Sequence, residues 1–173
     1  CTRCLTPISW PIDENFTELY YYEIVGGKSN GKREARGSYA YYFPDHPDWS
    51  GASLIPDTDS QTNNRGELLG IYHGIQKAFE SCDSSNNELV IYSDSTYSIN
   101  CLTKWLPGWL RNHWKTAEGK DVLHRDLIEK ITNLLIVKDI SINSTLFIND
   151  VNILGKINNS ELNKIINKLD NLI

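Results

Sequence analysis

At 173 residues the chain is a single domain of ordinary size, long enough to bury a core. Its 40% hydrophobic and 23% charged residues are those of a soluble globular chain, and no apolar run is long enough for a membrane span or a secretory leader. A net charge of −5 and a pI near 5.3 exclude a broadly basic surface, so any grip on a polyanion has to be local. Four cysteines (Cys1, Cys4, Cys82, Cys101) are too few for a dense disulfide framework and suit a reducing, intracellular compartment. Cys1 and Cys4 form half of a zinc knuckle with no second pair at usable spacing. They read first as a chance pair, and second as a zinc site completed by another chain. The chain starts at Cys1 and has no methionine, which reads as a processed or trimmed chain. Removal of an organellar presequence would place it in the mitochondrion. Asn15, Asn143 and Asn158 head glycosylation sequons, which chance explains in so Asn-rich a chain.

In chain order, residues 1–18 are polar with two prolines, Pro7 and Pro11, and read as an extended N-terminal arm to a domain over 19–173. The aromatic run 19–25 reads as a first strand, followed by a turn cluster at 26–31. Residues 37–43 alternate as a hairpin strand, 51–55 supply a third strand, and 44–48 and 56–60 are loops. A helix over 62–80 carries Leu68, Leu69, Ile71, Tyr72, Ile75 and Phe79 at three- and four-residue steps, with Thr62 and Asn63 as caps. After a Ser/Asn linker, 88–92 reads as a buried strand and 95–102 as a helix. Trp105, Trp109 and Trp114, with Pro107-Gly108 among them, are too irregular for a clean amphipathic helix. A helix over 122–135, a strand over 141–148 and a helix over 160–173 complete an α/β sandwich order.

The stretch 61–100 organises the rest. Glu67 lies on the first turns of its helix, and Asp94 ends the strand that follows. Strand C-ends collect sites in α/β sheets, so two converging carboxylates could hold a metal there. The plainer reading is that Glu67 complements the helix N-terminus and that Asp94, with Ser93 and Ser95, caps the next helix. Spacing alone favours the plainer reading.

The letters point further. TNNRGELL (62–69) followed by YSDSTYSIN (92–100) resembles type-one ribonuclease H, the enzymes that cut RNA in RNA–DNA hybrids. KSNGKREARGSYAYYF (28–43) is similar to that family's second hairpin and the turn before it. CLTKWLPGWLRNHWKTAEGKDVLHRDLIEKI (101–131) resembles the tryptophan-rich handle and following helix of eukaryotic members. The likeness covers 19–135 with its motifs in family order. It implies a ribonuclease H-like fold, a five-stranded mixed sheet flanked by helices.

The resemblance also implies a chemistry, hydrolysis on two magnesium ions about 4 Å apart. Oxygen ligands hold them: four acids, assisted by a histidine. Glu67 and Asp94 match two of the acids. Aligned through Lys28-Ser29-Asn30-Gly31, the first-strand acid falls on Ile24, and Glu23 replaces it only if the strand bulges, because a one-residue slip changes the face. At the other end the histidine falls on Ile153 and the fourth acid on Asn163. Losing two of four charges weakens a hard-cation site. The expectation is therefore a degenerate catalytic centre, with no cofactor, or magnesium if the site still works.

Binding is the function that could survive. The family contacts the hybrid backbone and 2′-hydroxyls through the positions of Asn63, Asn64 and Arg65, although helix capping and surface pairing explain these residues equally well. Arg111, Trp114, Lys115 and Thr116 of the handle suit a backbone groove, whereas Trp105 and Trp109 read as core. Leu110 and His113 stand where basic or small residues are common. The first expectation is a catalytically inactive ribonuclease H-like domain, a structural or nucleic-acid-binding subunit of a protein assembly. A ribonucleoprotein such as a mitochondrial ribosome is one such setting. The alternative is an active magnesium-dependent ribonuclease H using Glu23, Glu67 and Asp94. A third is a free-standing hybrid binder competing with active enzymes.

Overall fold

The computed structural model describes residues 3–12, 15–24, 37–43, 46–81, 90–137 and 146–149. Its strands are β1 (Arg3–Ile12), β2 (Asn15–Ile24), β3 (Ser38–Tyr42), β4 (Gly51–Leu54), β5 (Val90–Ser93) and β6 (Leu146–Asn149). They form one mixed sheet in the order β4-β3-β2-β1-β5-β6. Neighbours from β4 to β5 are antiparallel, and β5 and β6 are parallel. Both β2 and β5 run against β1, so they point the same way and their C-ends share one edge of the sheet.

Among the described residues the sheet has six strands where the resemblance implies five, and one of them comes from the segment expected to be an arm. Prolines argue against a ladder strand because they lack a donor. Among the described residues β1 pairs with β5 at Ile8↔Ile91 and Ser9↔Val90, and Pro7 and Pro11 lie outside those pairs. On the other side β1 pairs with β2 along its whole length, Arg3↔Ile24 to Ile12↔Asn15. Cys4, half of the Cys1–Cys4 pair, thus lies in the sheet opposite Glu23.

The long helix α1 (Asn63–Ser81) packs on this sheet. Leu68, Ile71 and Ile75 of its expected stripe are fully buried. Thr62 caps it as expected, its Oγ1 accepting from the Arg65 amide at 3.3 Å. The alternation of β3 sends Tyr39 and Phe43 into the same core. Helix α4 (Arg125–Val137) closes the core with Leu127, Ile128, Ile131 and Leu135, one stripe at helical spacing. The expected final helix over 160–173, with Ile153 and Asn163, lies outside the described residues.

Between β5 and α4, α2 (Thr96–Asn100) runs through a wide π turn (Cys101–Trp105) into α3 (Leu106–Arg111). The pattern implies a helix over 95–102 and is too irregular for a clean amphipathic helix only beyond it, around Trp105 and Trp109. The structure makes it continuous and shows why the pattern fails. Pro107 removes one amide donor from the helix, and a π turn shifts the side-chain stripe by a residue.

Candidate nucleic-acid interface and acid pair

Glu67 sits about one turn into α1, with only 4% of its surface exposed. It faces the start of α2, where Ser95 and Ser98 both donate hydroxyl hydrogen bonds to its Oε2, the second at 3.2 Å. Ser95 is also the N-cap of α2, its Oγ accepting from the Ser98 amide at 3.1 Å. The Ser95 amide in turn donates to Ser93 Oγ at 3.0 Å. Asp94 stands half-buried between those two serines. Glu67 therefore lies against the segment that follows Asp94, at the C-end of β5. Part of the plainer reading also holds, because Ser95 caps the helix. Ser98 was not singled out from sequence, and only its three-residue offset from Ser95 signalled it.

Glu23 and Ile24 end β2 at the same edge of the sheet as Asp94, with β1 between the two strands. Two strand spacings amount to about 10 Å. Carboxylates such as these are the ligand type magnesium takes, with water and phosphate oxygens completing its shell.

Arg65 is buried to 8% exposure and belongs to an ion-pair network. It makes two parallel bonds to Asp126, Nη1–Oδ1 at 2.8 Å and Nη2–Oδ2 at 2.7 Å. Its Nε donates to Asp59 Oδ2 at 2.8 Å. The hydrogen bond to Asp126 raises the guanidinium pKa further, and the same bond lowers the Asp126 carboxyl below its ordinary range. The expectation of Arg65 as a nucleic-acid contact meets a side chain already committed to two acids. Asn63 and Asn64, in the first turn of α1, remain partly exposed.

The handle also redistributes roles. Trp114, assigned to backbone contact, is 7% exposed, whereas Trp105, read as core, is 36% exposed. The tryptophans form a chain: Trp105 to Trp109 at 5.7 Å and Trp109 to Trp114 at 6.1 Å between ring centroids. The guanidinium of Arg125 lies 5.1 Å over Trp114, a cation–π contact. Lys115 pairs with Asp121 at 2.6 Å and Lys120 with Glu118 at 2.8 Å. Both pairs are exposed and weak enough to exchange for a phosphate. Arg111 and Thr116 complete the expected set, Arg111 exposed and Thr116 Oγ1 accepting from the Lys120 amide at 3.2 Å.

Residues 25–144 match the family model described as RNase H, well over half of the chain. The chain belongs to the RNase H family. It is 39% identical over 109 residues to ribonuclease H1 of Homo sapiens, covering 60% of this chain and 36% of that protein. It is 34% identical over 113 residues to ribonuclease H of Schizosaccharomyces pombe, covering 65% of this chain and 40% of that one. To a probable ribonuclease H of Acanthamoeba polyphaga mimivirus it is 34% identical over 113 residues, covering 65% of this chain and 49% of that protein. The chain thus matches between about a third and a half of these relatives. The type-one resemblance read from the motifs holds. The RNase H match begins at 25, immediately after Glu23 and Ile24, and takes in Glu67, Asp94 and the whole handle.

Proposed function

We propose that this chain is an RNase H-like domain that binds RNA or RNA–DNA hybrid without cleaving it, as a binding or structural part of a larger assembly. The observation that carries the reading is the position of β1, which stands between the strand bearing Glu23 and the strand bearing Asp94. Glu67 is meanwhile held by two serine hydroxyls. Ile24, Ile153 and Asn163, at the positions the resemblance gives to two acids and a histidine, support it from the sequence. Binding would use Asn63 and Asn64 with the handle, where Arg111 and the exchangeable Lys115 and Lys120 pairs supply local positive charge on an acidic chain. Affinity of that kind falls steeply with salt.

A second reading is an active magnesium-dependent ribonuclease H. Its support is the shared sheet edge of Glu23 and Asp94 and the name ribonuclease H carried by the relatives. Incubating the chain with labelled RNA–DNA hybrid and magnesium or manganese, beside Asp94→Asn, separates the two. Salt-sensitive binding with no cleavage in either protein is the expected result. Cleavage that disappears in Asp94→Asn would overturn the proposal and make Glu23 the third ligand.

A further inference from the structure

On the side of α1 away from Glu67, a groove of about 420 Å³ opens between the C-terminal half of the helix and the outer strands β3 and β4. Its size falls in the range of ligand pockets. Its exposed lining is mostly polar, with Tyr39, Tyr41 and Trp49 among the residues that form it. Tyr39 is stacked on His73 at 4.9 Å. Tyr41 lies across the backbone of Gly51, which its ring approaches so closely that a side chain there would collide with it at 2.5 Å. Trp49 forms one end wall, fixed by stacking on His46 at 4.0 Å and by an edge contact to Phe43 at 5.4 Å.

The charges around this groove are mixed, with acid in excess. Asp48 and Glu80 line the groove, and Lys77 is the cation. His73, Lys77 and Glu80 follow at helical spacing on one face of α1. Burial lowers the His73 pKa, so the imidazole adds no positive charge at neutral pH. Burial also raises the pKa of both tyrosines, which stay protonated. The groove is therefore two carboxylates and one ammonium over flat rings.

We propose that this groove seats an arginine side chain presented by a basic partner protein. A guanidinium is planar, so it stacks on tyrosine and tryptophan faces while its edge gives two parallel N–H bonds to a carboxylate. A lysine ammonium is compact and strongly hydrated, and uses such walls less well. The groove also adjoins the sheet's edge, because β4 is the outermost strand among the described residues. The outer backbone groups of β4 can pair with an extended segment whose arginine enters beside them. The chain's net charge of −5 favours a basic partner.

The test is an NMR titration of the full chain with N-acetylarginine amide, beside the lysine amide and the uncharged, isosteric citrulline amide. The expected result is saturable shifts centred on the Trp49 indole, Tyr41 and His73. Lysine should bind at least threefold more weakly and citrulline at least tenfold. Combining Asp48→Asn with Glu80→Gln should reduce arginine affinity at least fivefold, and Lys77→Met should increase it. Shifts centred elsewhere, equal response to citrulline, or no saturation would overturn the proposal.

Discussion

Arg65 and Asp126 meet edge to edge across 61 residues of sequence, each guanidinium Nη facing one carboxylate oxygen at 2.7–2.8 Å. The pair ties the N-terminus of α1 to the first turn of α4. Asp59 joins from the loop before α1, so three segments converge on one cation.

Breaking the network from its buried side should cost more than breaking it from its exposed side. Arg65→Met leaves two acids facing each other and should destabilise by about 2–4 kcal/mol. Asp126→Asn keeps an acceptor on a half-exposed side chain and should cost about 1 kcal/mol. Because Arg65 depresses the Asp126 pKa, the charge-dependent part of the pair is complete above the ordinary carboxyl value of 3.8. It is lost as pH falls through the lower folded-state value. Urea unfolding of wild type and Asp126→Asn should differ at pH 6 and converge as pH drops below 4. A gap that stays constant with pH would contradict the assignment.

Ser95 has two jobs, capping α2 and donating to Glu67. Ser95→Ala removes a cap worth about 1 kcal/mol and deprives a buried acceptor of a donor, adding about 1–3 kcal/mol. Ser98→Ala removes one side-chain donor and leaves the cap, so it should cost less. Thermal denaturation of the two variants orders them. Equal losses would mean the cap contributes nothing.

What could be read from sequence divides along a physical line. Regular elements with a periodic apolar face were legible: Leu68, Ile71 and Ile75 lie buried on α1, and Leu127, Ile128 and Ile131 on α4. The acid pair was legible through its motifs, TNNRGELL and YSDSTYSIN. Strand β1 was not, because Pro7 and Pro11 suppress the usual strand signal, yet both lie in the ladder with β2, opposite Tyr20 and Phe16. The inversion of Trp105 and Trp114 was also hidden, since a π turn displaces one tryptophan outward while a left-handed corner turns the other inward. The partners of Arg65 and Glu67 come from distant segments, and such pairs leave no periodic trace.

That corner gives a prediction of its own. His113 and Trp114 have φ of +58° and +61°, a left-handed conformation that costs a side-chain-bearing residue about 1–2 kcal/mol. Trp114 recovers the cost through burial under Arg125. His113 is exposed and offsets nothing, which explains why a small residue suits that position. Allowing for the extra unfolded-state freedom of glycine, His113→Gly should stabilise by about 0.5–1 kcal/mol. For a chain of this size that raises Tm by roughly 1–4 °C. A fall in Tm would mean the histidine ring makes a compensating contact.

The acid pair makes a prediction that needs no nucleic acid. If Glu67 and Asp94 are what remains to hold magnesium, the free chain should bind it with Kd no tighter than about 10 mM, since affinity follows ligand charge. At 10 mM magnesium such binding stabilises by at most about 0.4 kcal/mol, a Tm rise of roughly 2 °C or less. Asp94→Asn should remove even that, and calcium should do no better. A rise of several degrees, abolished by Asp94→Asn, would require a third carboxylate. Glu23, at the same edge of the sheet, is the first to test, and Glu23→Gln should then abolish the rise as completely as Asp94→Asn does.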